Sequence, residues 1–247
     1  MTCGVAPGQP IIVPAFGKRG RHMLDKHASS NTSPASQSRE IRSDTKALAE
    51  MLNLRSASAG APDGHSERVA LYAVAIGKQL DLPDKILGDL KSAAILHDIG
   101  KVGISRQIVD KLGRLTDREF EIMRLHSTIA IRMLERVDGL QDSLPMIKHH
   151  HERFDGKGYP DGISGHDIPL GARIIAVAET FDMLVSELPW RDAMTLEDAL
   201  KEMKRCSGSQ FDPLIVEAFL AVIETQKVEL PEEVKEQIRR PKPRQSN

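Results

Sequence analysis

The sequence predicts an all-α fold in which the helices form a bundle. From Ser66 onward, apolar residues recur at steps of three or four, which is the period of an amphipathic helix. The alternation of apolar and polar residues that is typical of strands is nearly absent. Helix-start signals stand ahead of apolar stretches, as where Glu119 follows Thr116 and Pro213 follows Asp212. Together, these three observations predict a helical bundle.

Two predicted helices begin the main domain. The stretch SERVALYAVAIGKQL (66–80) carries apolar residues at helical spacing. Pro83 interrupts the pattern. The next stretch, DKILGDLKSAAILHD (84–98), is apolar over a wide face. We therefore expect a buried helix whose C-terminal turn carries His97 and Asp98.

A long helix is predicted to follow. Thr116 and Glu119 match a capping box at the start of TDREFEIMRLHSTIAIRMLERV. This helix would contain His126, and its buried stripe would include Phe120 and Met133.

A loop and further helices complete the predicted domain. Pro145 suits the first turn of a helix that runs toward His151. The turn residues of RFDGKGYPDGISGHDIP then predict a long glycine-rich loop over 155–167. Three more helices are predicted. The first is LGARIIAVAETFDMLVSEL, the second begins after a cap at Thr195, and the third begins after a cap at Asp212.

Composition divides the chain into four segments. Residues 1–43 are rich in Ser, Pro, Gly and Ala, which predicts a flexible leader. Residues 44–60 contain helix formers and predict an N-terminal helix. Residues 61–228 carry the helical pattern and form the predicted main domain, and residues 229–247 form a charged tail.

Charge and cysteine content narrow the classes of partner. The 34 basic and 35 acidic residues leave a formal charge of -1, which argues against binding to duplex nucleic acid. No apolar stretch approaches the roughly 20 residues that a membrane-spanning helix needs, and no export signal is recognisable. The two cysteines, Cys3 and Cys206, do not form a disulfide framework. We therefore expect a soluble, cytoplasmic protein.

Histidines and carboxylates form the candidate functional set. A lone histidine is more often a core or surface residue, so the prediction depends on the group. Asp98 follows His97, and consecutive helical residues point about 100° apart, so this pair can span two metal positions. The triplet His149–His151 either adds ligands from another helix or forms a solvated helix end. Two divalent metals suit phosphodiester hydrolysis because they can activate water and stabilise both reacting oxygens.

Several motifs resemble an HD-GYP domain in order and spacing. They are HDIGK at 97–101, HHERFDGKGYPDG at 150–162 and IPLGARIIAVAETFD at 168–182. The resemblance covers roughly 64–224 and includes an SQFDP segment at 209–213. It implies an HD-superfamily helical bundle with a long glycine-rich loop, called here the GYP loop.

The resemblance also implies an activity, which is hydrolysis of cyclic di-GMP to linear pGpG, and further to GMP in some relatives. It assigns metal ligation to His65, His97, Asp98, His126, His150 and His151, with Asp98 bridging two divalent ions. Iron or manganese is expected, with nickel or zinc as alternatives. Lys101 would meet a substrate phosphate, and Tyr159 and Arg191 would contact substrate. The GYP loop would dock diguanylate cyclase (GGDEF) proteins, and a homodimer stays open.

The chain departs from the HD-GYP pattern at several positions. Glu179 occupies the place of a metal-binding aspartate, and its extra methylene moves the carboxylate by about an ångström. Leu188 replaces an arginine, while Arg191 and Trp190 lie nearby and could contact a base. Ala61 replaces a glutamate that helps some relatives bind a third metal, so two metals and pGpG accumulation are expected.

Two alternatives to a cyclic di-GMP hydrolase remain open from the sequence. The first is a catalytically weakened HD-GYP module that binds cyclic di-GMP or partner proteins as a regulator. The second is an HD phosphohydrolase that acts on another nucleotide, which the GYP loop makes less favoured.

Overall fold

The computed structural model describes residues 64–188 and 191–225. The predicted leader, the predicted helix at 44–60, the tail at 229–247 and Trp190 lie outside the described residues. Within the described ranges, no helix is both long and apolar enough to cross a bilayer.

The described chain is helical, with two isolated bridges, Leu188 with Arg191 and Ser207 with Phe211, and no named strand. The all-α prediction is confirmed. The α-helices are α1 His65–Gln79, α2 Asp84–Leu96, α3 Arg106–Val109, α4 Asp117–Arg124, α5 His126–Leu134, α6 Leu144–Lys148, α7 Leu170–Val185, α8 Leu196–Arg205 and α9 Pro213–Glu224. The 3-10 helices are Ile99–Gly103 and Gly165–Asp167.

The core lies where α1 packs against α2, α7 and α9. The Phe181 ring lies 5.2 Å from the Tyr72 ring and 4.7 Å from the Phe219 ring, as measured between centroids. These three side chains and Ile76 are almost completely buried. Burial of each such side chain stabilises the fold by about 1.5–3 kcal/mol, so this layer holds α1 and α7 firmly together.

The end of α2 is set by a direct approach of two backbones. A Cβ on Gly100 would lie 1.8 Å from the His126 carbonyl oxygen and 2.7 Å from the Ala130 nitrogen. Only glycine therefore allows the 3-10 helix Ile99–Gly103 to pack on the first turn of α5. As a result, Asp98 lies next to His126.

The long helix predicted from Thr116 is two helices, α4 and α5, because the Leu125 N–H donates to the Ile122 carbonyl at 3.1 Å and tightens the turn. The capping box of Thr116 with Glu119 is confirmed. The predicted buried stripe is wrong at Phe120 and Met133, which are 46% and 42% exposed. Instead, the buried residues of α5 are His126, Ser127, Ala130 and Leu134.

The histidine triplet follows α6 and does not belong to it, contrary to the sequence prediction. Pro145 lies in the first turn as expected, but α6 ends at Lys148. His149 leaves the helical region with φ −108° and ψ 13°, and the Glu152 N–H then donates to its carbonyl at 2.9 Å. His150 and His151 therefore lie in a turn. The caps of α8 by Thr195 and of α9 by Asp212 are confirmed.

Candidate metal centre

The described structure brings six predicted ligands together at one end of the bundle. They come from the start of α1, the end of α2, the start of α5 and the turn after α6. Their ligand atoms form two groups, within each of which all atoms lie within 4.8 Å of one another. One group is His65, His97 and Asp98, and the other is Asp98, His126, His150 and His151. Asp98 belongs to both groups, so its carboxylate is placed where a bridging ligand would lie.

Three of the histidines are held by the same local hydrogen bond. In each, the Nδ1–H donates to the carbonyl three residues earlier. The distances are 2.7 Å from His97 to Ala94, 2.8 Å from His126 to Met123 and 2.6 Å from His150 to Ile147. Because a carbonyl can only accept, Nδ1 carries the proton and Nε2 is left with a lone pair for a metal.

His65 is oriented by a carboxylate from another helix. Its Nδ1 lies 2.7 Å from Asp182, which also accepts from Arg68 Nε at 2.7 Å and Nη2 at 3.0 Å. Asp182 is completely buried. Burial raises the pKa of Asp182, but the bonds from His65 and Arg68 outweigh it, so the pKa lies below its usual value. Asp182 thus positions a candidate ligand and does not join either ligand group.

The donor set fits divalent cations. Within the described residues, the buried His97 Nε2 and Asp98 Oδ1 have no hydrogen-bond partner, which costs about 1–3 kcal/mol for each group. His126 Nε2 and His150 Nε2 lie 3.5 Å apart, so two lone pairs face each other. A shared cation would stabilise this arrangement. Nitrogen and oxygen donors without thiolate suit iron, manganese, nickel or zinc.

The electrostatics favour a charged Asp98 and neutral imidazoles in the second group. Burial raises the pKa of Asp98, but the positive charges of Lys101 and His97 lower it by more. The pKa of Asp98 therefore lies well below its usual value. Burial lowers the pKa of His126 to about 4 and that of His150 well below its usual value. Neutral imidazoles and an ionised carboxylate are the forms that bind metal.

His97 has the opposite tendency. Burial lowers its pKa, but Asp98 beside it outweighs burial and raises the pKa to about 9. A divalent cation in the first group would therefore compete with a proton on this imidazole.

Lys101 lies directly beside the shared carboxylate. Its Nζ contacts Asp98 Oδ2 at 2.6 Å, and its side chain is 26% exposed. Burial lowers the pKa of Lys101, but Asp98 raises it more, so the ammonium stays charged. The ammonium is thus a positive charge held beside Asp98 and partly exposed to solvent.

A cavity of about 330 Å³ adjoins His150 and His151. Glu179 lines its wall and belongs to neither ligand group. Burial raises the pKa of Glu179 in spite of an opposing effect from His97. Arg191 also lines the cavity, and its Nη2 donates to the Met183 carbonyl.

Sequence reasoning missed two polar residues of this cavity. Arg153 pairs with Asp155 through Nε at 3.0 Å and Nη2 at 2.8 Å, and its Nη1 donates to Gln210 at 3.3 Å. Leu188 lies on the same wall. The position of Arg153 two residues after His151 could have been a signal, because neighbours of ligands face the same space. Gln210 lies 57 residues from Arg153, and its sequence signal is the SQFDP segment at 209–213 that contains it.

The GYP loop packs directly against the turn that carries the histidines. A Cβ on Gly158 would lie 2.3 Å from the Arg153 nitrogen and 2.5 Å from the Glu152 Cα. The Glu152 carboxylate accepts from the backbone N–H of Asp161 at 2.7 Å and of Gly162 at 2.9 Å. These contacts hold the loop over the ligand groups.

Comparison with known proteins gives the family. A family model described as HD domain matches residues 46–215. The chain belongs to the HD domain family. The adjacent His97 and Asp98 both belong to the first ligand group, and Asp98 also belongs to the second.

Curated relatives of the HD domain are phosphodiesterases. A Thermotoga maritima protein named cyclic di-GMP phosphodiesterase is 42% identical over 158 residues, which are 63% of this chain and 43% of that protein. A Vibrio cholerae protein named 3′3′-cGAMP-specific phosphodiesterase 3 is 41% identical over 150 residues, 61% of this chain and 33% of that protein. The chain therefore spans less than half the length of these two relatives. The HD-GYP assignment made from the sequence is confirmed.

Solved structures support the fold of the HD domain. The crystal structure of a cyclic GMP-AMP-specific phosphodiesterase of Vibrio cholerae matches with a TM-score of 0.60 at 22% identity, over 80% of this chain and 53% of that one. An HD-GYP-type protein of Bdellovibrio bacteriovorus matches with a TM-score of 0.53 at 18% identity, over 65% of this chain and 51% of that one. The predicted HD-superfamily bundle is therefore confirmed.

Proposed function

We propose that this HD domain is a metal-dependent phosphodiesterase that hydrolyses cyclic di-GMP to linear pGpG in bacterial second-messenger signalling. The observation that carries the proposal is the pair of ligand groups that share Asp98. Relatives named cyclic di-GMP phosphodiesterase support the substrate class. Iron or manganese is the proposed metal, in two positions.

Each ligand group would hold one ion, and Asp98 would contribute to both. The first ion would be held by His65 and His97, and the second by His126, His150 and His151. When bound, such ions supply an activated water and Lewis-acid stabilisation of the phosphate. The Nδ1 bonds of His65, His97, His126 and His150 would leave each Nε2 available to bind a metal. Catalysis thus depends on Asp98 for placement of both ions.

Lys101 would neutralise charge that develops on the substrate phosphate. Its Nζ lies beside Asp98, and a fixed cation at this position stabilises the transition state more than a mobile one in water. The neighbouring cavity would take one nucleoside of the substrate, with Arg191 and Arg153 on its wall.

A second candidate substrate is 3′3′-cGAMP. Relatives named for this substrate are 41%, 35% and 34% identical to the chain. Leu188 on the cavity wall cannot form the two parallel bonds that an arginine forms with guanine O6 and N7. A less guanine-specific wall would accept adenine more readily.

The position of Glu179 outside both ligand groups favours an alternative function, that of a regulatory binding module. In this alternative, the HD domain binds the cyclic dinucleotide or a diguanylate cyclase partner through the GYP loop and hydrolyses the dinucleotide slowly or not at all.

We further propose that the protein is cytoplasmic, which its low cysteine content suits.

The proposed function is tested by anaerobic purification, metal analysis and turnover of cyclic di-GMP and 3′3′-cGAMP. We expect about two metals per chain and cleavage that stops largely at the linear dinucleotide. Asp98→Asn should lose both metal binding and cleavage. The matched control, Asp138→Asn, changes an exposed carboxylate and should leave both unchanged. Metal and nucleotide binding without cleavage would favour the regulatory module, and full activity of Asp98→Asn would contradict the site.

A further inference from the structure

The ring of His151 is held differently from the rings of the other candidate ligands. His65, His97, His126 and His150 each place Nδ1 against a carboxylate or a carbonyl. Within the described residues, the His151 ring makes no hydrogen bond. Its ring is stacked on that of Tyr159, with centroids 4.8 Å apart and planes 30° apart. The ring also contacts those of His150 and His126, with centroids 4.0 Å and 5.0 Å apart, but these two are candidate ligands themselves. Among the described residues outside the ligand groups, Tyr159 is thus the aromatic contact that orients this imidazole.

Tyr159 is itself fixed by neighbouring side chains. The Arg124 guanidinium carbon lies 4.9 Å from the centre of the Tyr159 ring, a cation–π contact. The Phe120 ring meets Tyr159 edge to face, with centroids 6.1 Å apart. These contacts come from α4, so a helix that carries no predicted ligand supports the orientation of His151.

The backbone of the GYP loop fixes the distance between the two stacked rings. The Tyr159 N–H donates to the His151 carbonyl at 3.3 Å. Gly158 permits this approach, because a Cβ there would lie 2.6 Å from the same carbonyl oxygen. The glycine and the tyrosine of the loop thus act together on one residue, His151.

We propose that Tyr159 is a positioning residue for His151, whose ring it holds so that a ligand nitrogen faces Asp98, His126 and His150. The sequence resemblance assigns Tyr159 to substrate contact, whereas this role makes metal affinity depend on it. The inference rests on the proposed metal centre and does not require turnover. The aromatic ring, and not the phenolic hydroxyl, is the part of Tyr159 that acts.

Metal titration of apo protein separates the ring from the hydroxyl. Tyr159→Phe keeps the stacked ring and should bind both metals with wild-type affinity. Tyr159→Leu loses the ring and should bind the metal of the second group about 10- to 100-fold more weakly, as loss of an orienting contact typically does. The metal of the first group, at His65 and His97, should bind almost as tightly as before. Mn²⁺ binding followed by calorimetry and electron paramagnetic resonance gives both affinities.

A matched control comes from the residue directly before the GYP loop. Phe154→Leu removes a ring that contacts His166 and no candidate ligand, so metal affinity should not change. If Tyr159→Leu does not fold, Arg124→Met provides the test, because it removes the cation from the Tyr159 ring and should weaken the second metal about 2- to 5-fold.

Three results would overturn the role of Tyr159. They are wild-type affinity in the variant that lacks the ring, equal losses in Tyr159→Phe and Tyr159→Leu, and unchanged affinity in Arg124→Met. Wild-type protein that binds no Mn²⁺ would overturn the metal centre together with this role. Wild-type protein that binds two metals but cleaves no cyclic dinucleotide would refute the proposed function alone.

Discussion

Replacement of Asp182 with asparagine should weaken both the fold and the metal centre. The carboxylate is completely buried and accepts three bonds, one from His65 and two from Arg68. Removal of one member of a buried pair costs about 3–5 kcal/mol of unfolding free energy, since a charged contact is replaced by a neutral one with one oxygen. Loss of the bond that orients His65 should also weaken the metal of the first group about 10- to 100-fold.

Urea denaturation and Mn²⁺ titration measure the two effects of Asp182→Asn separately. Asp89→Asn is the matched control, because Asp89 pairs with Lys85, whose side chain is 71% exposed. Such a surface pair contributes about 0–1 kcal/mol. If Asp182→Asn costs less than about 1 kcal/mol and leaves metal affinity unchanged, the orienting role of Asp182 is wrong.

The effect of Asp182 should depend on pH in a definite direction. The pKa of Asp182 in the folded protein lies below its unfolded value of about 3.9, so the carboxylate stabilises the fold above about pH 4. This stabilisation is lost as the pH falls through the folded pKa. The unfolding free energies of wild type and Asp182→Asn should therefore begin to converge near pH 4 and become similar only below the folded pKa, as followed by urea denaturation across the acid range.

Four further outcomes follow from the structure. Gly158→Ala should displace the GYP loop and cost about 1–3 kcal/mol in thermal unfolding, whereas Gly88→Ala, where a Cβ meets nothing within 4 Å, should be neutral or stabilising; equal effects would contradict the close approach. Thr116→Ala should cost about 1 kcal/mol in the same assay, and no loss would show that the capping box contributes nothing. Because the pKa of His97 is about 9, Mn²⁺ affinity should fall by up to about tenfold per unit as the pH drops from 9, and a flat profile would exclude proton competition. Glu179→Asp should raise kcat if the carboxylate ligates in the bound state, and a lower kcat with fewer metals would show that the longer side chain is required.

The sequence predicted the elements that depend on local signals. The capping box of Thr116 and the caps at Thr195 and Asp212 act within three residues, so their geometry is encoded locally. The end of α2 was predicted only approximately, because His97 and Asp98 were expected in its C-terminal turn, whereas α2 ends at Leu96 and His97 is its C-cap. These signals placed helix starts and ends without knowledge of the packing.

Features that depend on tertiary contact could not be predicted in the same way. The break at Leu125 re-phases α5, so Ala130 replaces Met133 on the buried face. No local signal marks this break, since Leu125 is an ordinary helix former. The turn after Lys148 likewise places His150 and His151 by packing and not by helical spacing.

The candidate site shows the same division. The residue types and order indicated the ligands, and carbonyls three residues earlier orient His97, His126 and His150, but the partner that orients His65 is distant in sequence. Asp182 lies 117 residues from His65 and 114 from Arg68. Such pairs follow from the packing of α7 on α1, which the pattern of apolar residues predicts only as a burial face.

The most direct test of the account is electron paramagnetic resonance of the Mn²⁺-loaded protein, with metal content counted in the same sample. A carboxylate shared between two ions brings them close enough for magnetic coupling. We predict about two Mn²⁺ per chain and the spectrum of a coupled pair, with both lost in Asp98→Asn and kept in Asp138→Asn. Two uncoupled ions in wild type, or a coupled pair that persists without the Asp98 carboxylate, would contradict the shared centre.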